Sequence, residues 1–169
     1  MSVSRKKDPV IEAERFMEKY DVAELDETNL KNILFAQGYT VIDVDNDLSG
    51  ENVQRMVTTL GLEELAKTAV CFTYSDRSYK LVFLKSELSP AEKTEALARE
   101  QWKIILGKFD NVDEENSTVA KRDSAKVFAH YILHPSKKYK LKRFLHHNSM
   151  KILAGIAFIL LIVAIIILK

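Results

Sequence analysis

The chain has 169 residues, which is enough for one domain with a substantial core and a short appendage. Its 25 lysines and arginines nearly balance its 24 acidic residues, so the net charge of +1 gives no overall reason to expect nucleic acid as a partner. The single cysteine, Cys71, excludes an internal disulfide, and we interpret it as a small buried hydrophobic residue in a reducing compartment.

Helical patterns occupy the first part of the chain. Apolar residues recur at helical spacing over residues 9–20, which predicts an amphipathic helix. Asp26 is a suitable N-cap for a second helix, and Gly38 is a suitable left-handed residue at its end. The segment YTVIDV, residues 39–44, then predicts a short strand.

A sheet is predicted in the middle of the chain. A third helix should run from Glu51 to Gly61, and two segments rich in aromatic and branched residues follow it, AVCFTY at 69–74 and YKLVFLK at 79–85. The four residues SDRS between them suit a hairpin loop, so we expect a small antiparallel sheet. The polar stretch 110–118 predicts a further loop.

The helix after this hairpin has the clearest start in the sequence. Ser89, Pro90 and Glu92 supply a capping residue, a proline at the first helical position and a glutamate at the third, which together form a capping box. Gly107 marks the end of the helix. Helical spacing gathers apolar residues on one side and charged residues on the other, and Glu100 falls on the charged side.

Two helical segments carry motifs that resemble those of a known family. The helix at Leu97 reads LAREQWKIIL, and a later helix at Ser124 reads SAKVFAHYILHP. With the strand in front, residues 29–135 resemble the ImmA/IrrE family of bacterial and phage metallopeptidase-like proteins, whose helices read LAHElgHill and EAn.FAa.LLmP. The resemblance implies an α+β, zincin-like domain in which helices surround a small antiparallel sheet.

The resemblance also identifies the residues at the family's functional positions. It places the first zinc-binding histidine at Arg99, the catalytic glutamate at Glu100, the second histidine at Lys103 and the downstream acidic ligand at Ser124. Two cationic side chains in ligand positions would repel Zn²⁺, and a glutamate without metal-bound water has no obvious catalytic role. We therefore predict a vestigial Glu100, no metal and no cofactor. Helical spacing further predicts that Lys103 pairs with Glu100 and that Arg99 pairs with Glu95.

A second arrangement of possible metal ligands lies on the later helix. His130 and His134 stand at i and i+4, a spacing that helical zinc sites use. However, His134 directly precedes Pro135 at a helix end, where an imidazole can meet free backbone carbonyls, and no glutamate lies between the two histidines. An enzyme with a site rebuilt around Glu100 and His130 stays open as the alternative.

The C-terminal segment is apolar. Residues 152–168, ILAGIAFILLIVAIIIL, carry no charge and would extend ~26 Å as a helix, which predicts a transmembrane helix. Only Lys169 follows the segment, whereas a basic run precedes it, so the positive-inside rule predicts a tail-anchored, single-pass protein of the cell membrane with a cytoplasmic N-terminal domain. The basic residues expected to contact the membrane surface are Lys137, Lys138, Lys140, Lys142, Arg143 and Lys151.

These observations predict three parts: a cytosolic ImmA/IrrE-like domain at 1–135, a basic juxtamembrane linker at 136–151 and the transmembrane helix at 152–168. The hypothesis is a catalytically inactive binding or regulatory module on the cytoplasmic face of a membrane, with membrane lipid and a protein as partners. Because active relatives act on transcriptional repressors, the resemblance makes a helical DNA-binding regulator one candidate partner, with no direct contact to nucleic acid.

Overall fold

The computed structural model describes residues 7–22, 24–45, 50–107 and 119–167, and in the last two helices it describes side chains for residues 123–160. The described elements are α1 (Pro9–Tyr20), α2 (Glu27–Ala36), β1 (Thr40–Val44), α3 (Glu51–Thr59), α4 (Glu63–Thr68), β2 (Cys71–Ser75), β3 (Lys80–Lys85), α5 (Pro90–Leu106), α6 (Val119–Leu133) and α7 (Lys137–Ile167). They belong to two compact units, Met1–His134 and Pro135–Lys169. The first unit is α+β.

The three strands form one mixed sheet in the order β1-β3-β2. The antiparallel arrangement of β2 and β3 agrees with the predicted hairpin, with Thr73 opposite Val82. The prediction of a wholly antiparallel sheet is wrong, because β1 runs parallel to β3, with Val41 opposite Val82. The connection from β1 to β3 contains α3, α4 and β2, and a long connection of this kind lets the chain return to the same end of the sheet.

One face of the sheet is covered by the short helices α3 and α4. Leu81 and Phe83 of β3 share a buried cluster with Val57 of α3 and Ala66 of α4. The ring of Phe83 stacks on that of Phe72, with 4.7 Å between the ring centroids. The sequence did not predict α4, which is only six residues long and begins without a side-chain cap.

The longer helices form the remaining layer. Helix α5 packs on β2 and β3, α2 packs on both α5 and β1, and α6 packs against α1 and α5. Aromatic rings join this helical layer: Phe128 of α6 lies 5.2 Å from Trp102 of α5 and 5.8 Å from Phe16 of α1, measured between ring centroids. These contacts enclose α5 between the sheet and two other helices.

The predicted caps of α2 and α5 are confirmed, whereas α3 ends at Thr59, two residues before the predicted Gly61. Asp26 accepts a hydrogen bond of 2.7 Å from the backbone N–H of Asn29, and Gly38 follows α2 with a positive φ of 86°. At α5 the complete capping box of Ser89 and Glu92 is present. The loop predicted at 110–118 lies outside the described residues.

The second unit contains α7, a helix of 31 residues, so most of the segment predicted as a linker is helical. Among the residues that the structure describes, none of the helices combines the length and the apolar character needed to cross a membrane. This finding contradicts the predicted transmembrane helix and the tail-anchored topology that depends on it. Residues 161–168 lie outside the described side chains.

Candidate functional site

Glu100 is buried in the centre of α5, with 3% of its surface exposed. The charged side of α5, on which helical spacing places Glu100, is therefore buried at this residue. Because α5 is covered by the sheet, by α2 and by α6, its buried surface is wider than a single apolar stripe. The neighbouring Gln101 is likewise fully buried. A carboxylate in this position requires nearby groups that compensate its lost hydration.

Two side chains provide that compensation. The hydroxyl of Thr73 on β2 donates a hydrogen bond of 2.9 Å to Oε2 of Glu100. The ammonium of Lys103 lies 2.8 Å from Oε1 of the same carboxylate, and its side chain is 32% exposed. Both carboxylate oxygens of Glu100 are thus engaged, one by a neutral donor and the other by a cation. The predicted pairing of Lys103 with Glu100 is confirmed.

Arg99 and Ser124, where the resemblance predicts a histidine and an acidic zinc ligand, lie on α5 and α6. Arg99 forms an ion pair with Glu95, as predicted, and both side chains are partly exposed. Ser124 lies on α6 and is partly buried. The cations at 99 and 103 therefore pair with two different carboxylates of α5, Arg99 with Glu95 and Lys103 with Glu100.

Thr73 is the site residue that the sequence reasoning missed. It lies in the middle of AVCFTY, where a polar side chain with no exposure interrupts an apolar strand. Side chains alternate between the two faces of a strand, and Phe72 belongs to the cluster on the α3 and α4 face. Thr73 accordingly faces α5. A buried threonine on a strand is a usable signal for a polar partner, but the sequence does not identify that partner.

A chain of polar side chains connects α5 to two other helices. Nε2 of Gln101 donates to Oε1 of Gln37, with 3.0 Å between the atoms. Nε2 of Gln37 in turn donates to the hydroxyl of Tyr20, with 2.8 Å between the atoms. These bonds fix the rotation of α5 about its axis, and they thereby help to hold Glu100 against Thr73.

The hairpin loop that joins β2 to β3 has its own stabilising carboxylate. Asp76 accepts hydrogen bonds from the backbone N–H groups of Tyr79 and Ser78, at 2.6 Å and 2.7 Å, and from the hydroxyl of Tyr74 at 2.8 Å. These donors, led by the N–H of Tyr79, lower the pKa of Asp76 below its ordinary value. The ionised carboxylate therefore closes the turn that follows Thr73.

His130 lies in the last turn of α6 and His134 directly follows the helix, with 5.0 Å between their ring centroids. Both line an open cleft of about 710 Å³, which is bounded by the first turns of α2 and α5 and by the C-terminal half of α6. We call this space the α6 cleft. Glu100 is not among its lining residues, so the alternative site around Glu100 and His130 does not share this cavity.

Within the described part of the chain, no three His, Cys, Asp or Glu side chains converge to hold a metal ion.

The basic residues predicted at a membrane surface lie along α7, where all but the partly exposed Arg143 are exposed. Cys71, interpreted as a small buried residue, is buried in β2.

The chain matches no protein-family model, no curated protein and no solved structure. The resemblance to the ImmA/IrrE family therefore stays a prediction from its two helical motifs.

Proposed function

We propose that the first unit is a catalytically inactive, metallopeptidase-like binding module that engages a protein partner. The observation that supports this proposal is the pairing of Glu100 with Lys103, 2.8 Å apart, at two positions where the resembling family holds its catalytic glutamate and a zinc-binding histidine. The ammonium group of a lysine has three N–H donors and no lone pair to offer to Zn²⁺, and here it is paired with a buried carboxylate.

The same pairing argues against Glu100 as a general base. A base must accept a proton from a water or substrate within hydrogen-bond reach. Both oxygens of Glu100 already accept from Thr73 and Lys103, and the residue is almost completely buried. The carboxylate then has a structural role, in which it joins α5 to β2 and replaces the metal as the centre of the site.

The proposed partner follows from the resemblance. Active members of the family act on transcriptional repressors, so an inactive relative is suited to bind such a regulator without cleaving it. A helical DNA-binding regulator encoded beside this chain is the first partner to test. Neither the loss of metal ligands nor the burial of Glu100 requires the protein-binding surface to be lost.

The test combines metal analysis with a binding and cleavage assay on the purified full chain. We expect no stoichiometric metal, and we expect the regulator to be recovered intact from a complex with the chain. The matched variant is Glu100→Gln, and the regulator should be recovered equally intact with this variant. One metal ion per chain, together with cleavage that Glu100→Gln abolishes, would overturn the proposal in favour of the rebuilt enzyme.

A further inference from the structure

Helix α7 carries exposed apolar side chains along one side. Leu141, Phe144 and Leu145 stand at i, i+3 and i+4, so they share one side of the helix. Ile156 follows Leu145 by about three turns and Ile159 follows Leu141 by about five, which places both on the same side. All five side chains are 49–61% exposed, and we call them the α7 stripe. Contiguous exposed apolar surface of this kind marks a contact with a partner or a lipid phase.

Basic side chains border the α7 stripe. Lys137 and Lys138 precede Leu141 by four and three residues, and Lys140 precedes Phe144 by four, so the three lysines lie beside the first part of the stripe. All three are exposed, and we call them the border lysines. The sequence from residue 135 to residue 169 contains no aspartate and no glutamate, so the second unit has no carboxylate side chain of its own to compensate these cations.

This combination of apolar and basic groups is complementary to an anionic lipid surface. There the lysine stems can lie along the acyl boundary while their ammonium groups reach the headgroup phosphates, and the stripe is removed from water. A nucleic acid supplies phosphates, but its phosphate backbone gives no apolar contact to Leu141 and Phe144. A second copy of α7 supplies apolar surface but brings the same cations and no carboxylate side chain. Of these three occupants, only the lipid surface matches both the stripe and the border lysines.

We propose that α7 lies along the surface of an anionic lipid bilayer, with the α7 stripe at the acyl boundary and the border lysines among the headgroup phosphates. The contact runs along one side of the helix, so it involves no crossing of the hydrocarbon core. This inference goes beyond the proposed function, which concerns the first unit alone, and it gives the second unit a ligand of its own.

The test is flotation of the full chain with lipid vesicles in a density gradient, which separates vesicle-bound protein from aggregates that sink. We expect the chain to float with vesicles of phosphatidylcholine and phosphatidylserine. Binding to vesicles of phosphatidylcholine alone should be weaker by about ten-fold or more, because the headgroups then carry no net negative charge. Added salt should weaken binding to the anionic vesicles, since it screens exposed charges.

A lysine variant tests the electrostatic part of the contact. Replacing the border lysines should weaken binding to the anionic vesicles by about ten-fold or more, since each basic residue near such a surface contributes to the attraction. The matched control removes the same charge from three exposed lysines of the first unit and should leave the affinity unchanged. The test variant is Lys137→Gln, Lys138→Gln and Lys140→Gln, and the control is Lys19→Gln, Lys67→Gln and Lys126→Gln.

A stripe variant tests the apolar part. Leu141→Gln with Phe144→Gln should also weaken binding to the anionic vesicles by about ten-fold, because it removes two side chains that leave water on binding. The matched control is Ile11→Gln with Phe35→Gln, two apolar residues of the first unit that are 50% and 78% exposed, and it should bind as the wild type does. Circular dichroism should show the same helix content in all variants, since every replaced side chain is exposed.

Three results would overturn the inference. The first is a lysine variant or a stripe variant that binds anionic vesicles as well as its own control. The second is an oligouridine that displaces the vesicles and binds the stripe variant as tightly as the wild type, which would assign the lysines to nucleic acid. The third is a dimer that does not float and that the stripe variant dissociates in sedimentation, which would assign the α7 stripe to a second copy of the chain.

Discussion

The ammonium of Lys103 lies 2.8 Å from the carboxylate of Glu100, three residues earlier on α5, and the two side chains differ eight-fold in exposure, at 32% and 4%. The lysine therefore keeps contact with water while the glutamate does not. An ion pair of this kind costs most when its exposed member is removed, because the buried charge is then left alone.

The first prediction concerns that removal. Lys103→Met should lower the free energy of unfolding by about 2 kcal/mol, less than for a fully buried pair because the lysine is partly hydrated. The measurement is urea denaturation at neutral pH. Arg55→Met is the matched control, since Arg55 pairs with Glu51 at the surface with both side chains more than 70% exposed. Equal effects of the two substitutions would mean that Glu100 does not depend on Lys103.

The second prediction concerns the neutral donor. Thr73→Val keeps the shape of the side chain but removes the hydroxyl that donates to Glu100, and it should destabilise the fold by about 2 kcal/mol. Thr68→Val removes an exposed hydroxyl that bonds a helix carbonyl, and its effect should be well below this value. In a double-mutant cycle, Thr73→Val and Glu100→Gln should be strongly coupled. Additive effects in that cycle would contradict a bond between the two side chains.

The third prediction concerns the start of α5. Ser89→Ala removes both the cap on the N–H of Glu92 and the hydroxyl that donates to the Glu92 carboxylate, so it should cost about 1 kcal/mol. Ser89→Asp keeps a cap and should recover most of that stability. Thermal unfolding followed by circular dichroism measures both variants. If the aspartate variant is as unstable as the alanine variant, the cap is not the source of the effect.

The sequence predicts contacts between residues that are close along the chain better than contacts between distant ones. The capping box of α5 joins residues three positions apart, and it follows directly from their types. The bond between Thr73 and Glu100 joins residues 27 positions apart, and it depends on which face of α5 the sheet covers. The same limit applies to β1, whose parallel direction is fixed by the chain's path through α3 and α4 and not by its own alternation.

The fourth prediction is a pH dependence of the hairpin. The pKa of Asp76 is lowered in the folded protein, first by the N–H of Tyr79, so the unfolded chain binds the proton more tightly. Its contribution to stability is complete above the ordinary value of 3.8 and is lost as the pH falls through the lower, folded value. Asp76→Asn should therefore make stability less dependent on pH in this acidic range. Glu14→Gln, an exposed substitution on α1, is the control, and an equally reduced dependence there would contradict the assignment to Asp76.

The last prediction tests the family resemblance through the altered site. Arg99 and Lys103 lie one turn apart on α5, and Ser124 lies on α6, which packs directly against α5. If these positions correspond to the zinc ligands of the family, the combined variant Arg99→His, Lys103→His and Ser124→Glu should supply three donors to one metal ion. Water would complete a tetrahedral site, as in catalytic zinc centres.

The expected result is uptake of about one Zn²⁺ per chain by the triple variant, measured by metal analysis after dialysis. The wild type is the first control and should retain no stoichiometric zinc. The double variant without Ser124→Glu is the second, and it should bind zinc more weakly because one ligand is missing. The variant must remain folded by circular dichroism, since it also removes the cation that compensates Glu100. A folded triple variant with no more zinc than the wild type would show that the three positions do not converge, and the family assignment would then lose its structural basis.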